Sequence, residues 1–171
     1  MKYMFISDVH GNVDNLKKAF EAFQREGAKK LILLGDTSSI DRGVNQEISA
    51  ILNQKKDWIE IIRGNCDTFA FEEMLDIQML DMDTMYINKK FVTITHGHYY
   101  NDRGLPPNCG EIFIQGHTHI PKLQKESNRI LANPGSITRP RGCDLRCYIL
   151  IDESSISLKT LEGVMVKTLA L

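Results

Sequence analysis

The segment EIFIQGHTHI, residues 111 to 120, ends an apolar, β-forming run with a glycine and two histidines, His117 and His119. On an extended chain, residues two apart project from the same face, so both imidazoles share one target. A shared target for two imidazoles suits a transition-metal ion. Alone, the pair is as ordinary as two surface histidines at a strand end. Four more segments repeat the arrangement: SDVHG with Asp8 and His10, LGD with Asp36, RGNCD with Asn65 and Cys66, and THGH with His96 and His98. Each follows an apolar run, and each brings a glycine beside its polar residues. All five histidines of the chain lie in these segments. Scattered structural histidines would not segregate in this way.

Together Asp8, His10, Asp36, Asn65, His96, His117 and His119 offer seven oxygen and nitrogen ligands. One ordinary metal ion takes roughly four to six. Two divalent ions sharing one carboxylate would employ the whole set, at the spacing of about 3.5–4 Å found in two-metal hydrolases. Mixed imidazole and carboxylate donors favour manganese, with iron, nickel or zinc as alternatives, over calcium or magnesium. Two such ions against two aspartates and a bridging hydroxide leave the site about one charge positive, a cradle for a phosphate anion. The expected chemistry is hydrolysis. Metal coordination lowers the pKa of water from about 15.7 to roughly 7, arming a hydroxide for in-line attack on phosphorus without a protein base.

Positioning these residues is the task of alternating strands and helices. KYMFIS, KKLILLGD, WIEIIRGN, KFVTITHG and EIFIQGH read as strands. NVDNLKKAFEAFQREG carries Val13, Leu16, Ala19, Phe20 and Phe23 at helical spacing, with Gly27 as its stop. A second helical pattern runs through Val44, Ile48, Ile51 and Leu52, and a short helix is predicted around residues 67 to 75. The alternation predicts an α/β fold with much parallel pairing, whose functional groups collect beyond the carboxyl ends of the strands. RILAN, RCYILID, SISLKTL and VMVKTLAL follow one another through short turns, predicting a second, largely antiparallel sheet packed on the first.

At 171 residues a single domain over residues 1–171 is expected. A formal net charge of −1 gives no bulk attraction to nucleic acid or anionic membranes. The N-terminal apolar run is too short for a signal peptide, and no membrane-length apolar stretch occurs, so a cytoplasmic location is expected. Cys66, Cys109, Cys143 and Cys147 form no C-x-x-C pair and are expected to stay reduced.

The order D-x-H, GD, GN, H and GHxH resembles the calcineurin-like metallophosphoesterases. With the RGNCD and THGH variants and NPGS at residues 133 to 136, it is most similar to their small phosphodiesterases of the YfcE type. The resemblance implies a two-sheet β-sandwich flanked by helices, a four-layer α/β/β/α arrangement. It implies Asp8, His10 and His119 on one metal, Asn65, His96 and His117 on the other, and Asp36 bridging. A small-molecule phosphodiester would be the substrate.

Cys66 departs from the pattern of many members, in which a histidine after the asparagine is thought to protonate the leaving oxygen. A thiol, with a reference pKa near 8.5, is a poorer proton donor near neutrality. Better turnover of diesters with good leaving groups is therefore expected. The alternative is a small buried thiol beside a ligand. Arg63 is either a donor to the phosphate or an exposed strand-end cation. His98 is expected to support a ligand rather than act as one. Arg139 and Arg141 either line the mouth or form a solvated loop. A different class of function is a scaffold on the same fold, similar to the retromer subunit Vps29, binding protein partners. The intact Asp36 and Asn65 favour the enzyme. The β-rich C-terminal segment offers an edge for a homo-oligomer.

Overall fold

A computed structural model describes residues 1–171. Its central strand, Tyr3–Ile6 (β1), sends Met4 and Ile6 into one apolar cluster and Phe5 into another, the period-two division of a strand buried on both faces. Lys30–Leu33 (β2) and Ile59–Ile62 (β3) divide in the same way. Leu31, Leu33, Ile59 and Ile61 point to the first cluster, Ile32 and Ile62 to the second. β1, β2 and β3 pair in parallel, and Met79–Leu80 (β4) closes that edge.

Parallel neighbours need crossovers, and Val13–Glu26 (α1) and Arg42–Asn53 (α2) supply them. Asn12 caps α1 by accepting the Asn15 N–H at 2.8 Å, and Gly27 ends it in the left-handed region at φ 62°. Leu16, Ala19 and Phe20 of α1 and Ile48 and Leu52 of α2 cover the first face of the sheet. A short helix, Phe69–Glu72 (α3), follows β3.

The second sheet has the order β5-β6-β7-β9-β8, built from Met82–Ile87 (β5), Lys90–Thr95 (β6), Ile112–Ile114 (β7), Lys122–Glu126 (β8) and Arg129–Asn133 (β9). β6, β7 and β9 are parallel, and β5 and β8 flank them antiparallel. Its inner face, including Val92, Ile94, Ile112 and Ile114, meets Phe5, Ile32 and Ile149 in the cluster between the sheets. Residues 97–110 lie over the outer face as turns. Gly110 N–H donates to Thr93 Oγ1 and Asp102 N–H to Gln115 Oε1, both at 3.0 Å.

The C-terminal strands correct one expectation. Only β9 joins the second sheet. Cys147–Ile151 (β10), Ser155–Thr160 (β11) and Met165–Ala170 (β12) extend the first sheet antiparallel from the free side of β1. The reason is burial: every residue of β10 is buried, with Tyr148 and Leu150 toward the helices and Cys147, Ile149 and Ile151 toward the second sheet. A strand apolar on both faces belongs inside a sandwich. β12 is the edge strand, with Val164, Met165 and Val166 exposed near its start. No helix is long and apolar enough to cross a membrane.

Candidate metal centre

The carboxyl ends of β1, β2 and β3 in one sheet and β6 and β7 in the other carry the five polar segments, which meet at one edge of the sandwich. The backbone there is held away from its easy conformations. Asp8, His10, Asp36, His117 and His119 have φ of 57°, 46°, 50°, 64° and 63°. For residues with a Cβ the left-handed region costs about 1–2 kcal/mol each. Hydrogen bonds between loops hold them in place: Asp8 N–H donates to Gly35 O at 3.1 Å, His10 N–H to Asp36 O at 2.8 Å and Gly116 N–H to His96 O at 2.8 Å. Two glycines permit this approach. A Cβ on Gly64 would lie 2.2 Å from both the nitrogen and Oδ1 of Asp36, and one on Gly116 would lie 1.8 Å from Ser7 Oγ.

The side chains converge as acceptors. His96 Nδ1 lies 2.7 Å from Leu34 O, and His119 Nδ1 2.8 Å from Arg139 O. A carbonyl only accepts, so Nδ1 carries the proton in each ring and, in the neutral imidazole, Nε2 turns a lone pair to the centre. There His119 Nε2 stands 3.1 Å from His10 Nε2 and 3.1 Å from Asp8 Oδ1. His96 Nε2 stands 3.2 Å from Asn65 Oδ1 and 3.4 Å from Asp36 Oδ1. Asp8 Oδ1 is buried without a hydrogen-bond donor. Lone pairs packed at these distances repel unless a cation, a proton or a metal ion, lies among them. The donor set therefore fits divalent ions. Asp8, His10 and His119 form one such group, Asp8, Asp36 and His96 a second, and His10, Asp36 and Cys66 a third.

The local fields agree with this geometry. Burial raises the Asp36 carboxyl, but the hydrogen bond and charge of His96 and the Cys66 N–H, at 2.8 Å, outweigh it and hold the group well below the carboxylate range. Burial, then the hydrogen bond and charge of Asp36, push the Cys66 thiol up to about 11. His119 is raised by its contact with Asp8. His10, His98 and His117 are lowered, chiefly by burial.

Among the residues singled out by sequence, Asp8, His10, Asp36, His96 and His119 come together in these groups, and Asn65 reaches them through His96. His117 stands at the exposed rim, its ring 5.1 Å from that of His96. His98 lies 5.4 Å ring to ring from His96 and 4.0 Å from Tyr99, and lines a cleft beside His117. Cys66 is exposed rather than a buried hydrophobe. Arg63 is held by carboxylates of its own rather than standing as an exposed strand-end cation. Its guanidinium is taken by Glu72 at 2.6 Å and Asp81 at 3.4 Å, and packs on the Phe69 ring. Arg139 and Arg141 are exposed, yet their loop is tied to the centre by the Arg139 carbonyl on His119 and by Arg141 N–H donating to His119 O at 2.9 Å.

Two supports escaped the sequence reading. The buried Asp67 carboxylate accepts from Thr37 N–H, Ser38 N–H and Gly64 N–H at 2.8–2.9 Å, binding the β2 and β3 loops together. Its signal was the acid that ends RGNCD. In the NPGS turn, Ser136 Oγ donates to Asp8 O at 2.7 Å, and Asn133 Nδ2 to Gly116 O at 2.8 Å, joining the Asp8 and His117 loops.

Comparison with known proteins follows the same lines. Residues 1–155 match the calcineurin-like phosphoesterase superfamily domain. Phosphodiesterase YfcE of Escherichia coli K12 is 28% identical over 167 residues, covering 92% of this chain and 91% of that one. The solved structure of that bacterium's Yfce, described as a phosphoesterase, superposes with a TM-score of 0.91 at 26% identity over 99% of both chains. Vps29 of Entamoeba histolytica in complex with zinc shares the fold, with a TM-score of 0.62 at 18% identity over 100% of this chain and 98% of its own. With the domain match spanning nearly its whole length, the chain belongs to the calcineurin-like phosphoesterase superfamily.

Proposed function

We propose that the protein is a phosphodiesterase whose reaction depends on two divalent metal ions, manganese in the first instance. When bound, the ions supply Lewis acidity to the phosphoryl oxygens and acidify a water into a competent nucleophile. Asp8, His10 and His119 would hold one ion and Asn65, His96 and His117 the other, with the Asp36 carboxylate available to both. The Leu34 and Arg139 carbonyls fix the two imidazoles that need orienting. Cys66, with its thiol pushed up to about 11, keeps its proton near neutrality and is a weak acid toward a departing alkoxide. Substrates with good leaving groups suit it best.

The observation that carries this reading is the packing of lone pairs around the buried, donorless Asp8 Oδ1. Similarity to Phosphodiesterase YfcE supports the choice of a diester. Free cysteines fit a reducing compartment, and the reading places the enzyme in the cytoplasm acting on a small molecule. Hydrolysis of bis(p-nitrophenyl) phosphate with added manganese tests it. Wild type turns the ester over, and Asp36→Asn loses roughly a thousandfold or more. Full activity in the variant would sink the reading.

A second reading, a partner-binding scaffold like Vps29, draws on the exposed Val164, Met165 and Val166 beside the β12 edge. It predicts metal uptake without hydrolysis of any monoester or diester.

A further inference from the structure

We infer that a polar cleft beside His117 receives the non-reacting arm of the diester and selects arms that carry a second phosphate, gripped by Arg103. The inference rests on the phosphodiesterase reading and names its substrate class. The cleft has a volume of about 400 Å³ and includes His117, Arg103, Lys122, Asn101 and Gln115 in its lining. That volume lies within the roughly 300–1,000 Å³ of small-molecule sites. His117 belongs to both the cleft and the candidate metal centre, so a ligand in one abuts the other.

Arg103 sits at the tip of a turn that is pinned on every side. Asn101 and Gly104 exchange backbone hydrogen bonds at 3.2 and 3.0 Å. Asn101 Oδ1 accepts the Arg103 N–H at 3.0 Å, and Gln115 Oε1 accepts the Asp102 N–H at 3.0 Å. The Asp102 carboxylate is held by Lys122 Nζ at 2.9 Å. These bonds fix the turn and leave the Arg103 side chain exposed.

The same bonds set the chemistry of the cleft. Lys122 is shared by Asp102 at 2.9 Å and Glu126 at 3.5 Å, which leaves Arg103 as the cation of the lining with no carboxylate partner. The carbonyl oxygens of Asn101 and Gln115 are already used. Asn133 spends its amide on Gly116 O and Thr118 Oγ1. Unspent donors therefore exceed unspent acceptors. A neutral sugar, which offers both, leaves that imbalance unanswered. A phosphate, rich in acceptors and matched to a guanidinium fork, answers it.

The test uses the p-nitrophenyl ester of thymidine 5′-phosphate and its 3′-phosphorylated counterpart, with the whole protein and manganese. Wild type is expected to show a KM roughly tenfold lower for the phosphorylated ester, the size of one charge-assisted contact. Arg103→Ala is expected to erase that preference through KM rather than kcat, and Arg103→Lys to restore part of it. Equal KM values in wild type, or a preference that survives in Arg103→Ala, overturns the inference. If neither ester is hydrolysed, the phosphodiesterase reading fails, and calorimetry still decides the cleft. Thymidine 3′,5′-bisphosphate should then bind the manganese-loaded protein roughly tenfold more tightly than thymidine 5′-phosphate, and only when Arg103 is present. Equal binding of the two overturns it.

Discussion

The two proposed ligand groups at the sandwich edge are built differently. Asp8 and His119 are buried, and His10 is nearly so, with Arg139 and Ser136 fastening the loops behind them. On the other side His96 is buried, but Asn65 and His117 stand in solvent, and the loops are fastened by Asp67. Asp36 serves both. The first group is preorganised and dry, where electrostatic contacts are strong; the second is open, where water competes with every ligand. The contrast teaches that one ion should be held firmly and the other exchange readily. An open half is also the half that a substrate can enter, and the cleft with Arg103 adjoins it.

The sharpest way to break this comparison is to remove one imidazole from each side. Even outer partners of metal ligands are worth about 10–100-fold in affinity or activity, so loss of the buried His119 is expected to reach at least the upper end. His119→Ala should weaken manganese binding about a hundredfold, His117→Ala nearer tenfold. Calorimetric titration of both variants checks this, and equal losses would erase the distinction between the halves.

Removing the fastener of the open half gives the next largest effect. Asp67→Ala strands the N–H groups of Thr37, Ser38 and Gly64. At about 1–3 kcal/mol for each buried donor left unpaired, partly offset by release of a buried carboxylate, melting should fall by roughly 5–10 °C. Thermal unfolding measures it. An unchanged midpoint would mean that water replaces the carboxylate.

A pH series on metal-free protein sharpens the account of the dry half. His119 is raised above its ordinary 6.5 by the Asp8 carboxylate that faces its Nε2 at 3.1 Å and favours the protonated ring, so its contribution is complete below that value and is lost as pH rises through the folded pKa. The melting advantage of wild type over His119→Gln should therefore fade above pH 6.5 when no ion is present. Added manganese should stabilise more as pH climbs, because the proton no longer competes with it. A gap independent of pH would contradict the convergence of His119 and Asp8.

The smallest effect belongs to Arg63. Its ion pair with Glu72 is partly exposed, worth about 0–1 kcal/mol. Arg63→Ala should leave diester hydrolysis within about twofold and move the melting point by only a few degrees. A large loss of turnover would return Arg63 to the phosphate.

The ligand set was legible because its signal is local. Asp8 to His119 follow strand ends within a residue or a few, and strand ends in such folds face one edge. Pairing was less legible, since nothing in RCYILID names the strand beside which it lies; its two apolar faces were the available clue. Met82–Ile87 went unread because its inward side mixes Asp83 with Met85 and Ile87 while its outward side carries the exposed Met82 and Tyr86, which blurs the alternation. Arg63 and Asp67 show the limit of reading types without partners. A cation beside RGN suggests phosphate until Glu72, nine residues on, is seen to hold it. An acid after Cys66 suggests nothing until three N–H groups close on it.

The central claim is that loops from two sheets create one home for two cations. Diffraction from crystals grown with manganese, recorded for anomalous scattering, tests it most directly. Two peaks about 3.5–4 Å apart on either side of the Asp36 carboxylate are expected, the stronger beside Asp8, His10 and His119. A map without a peak there, or with manganese bound only elsewhere, would contradict it.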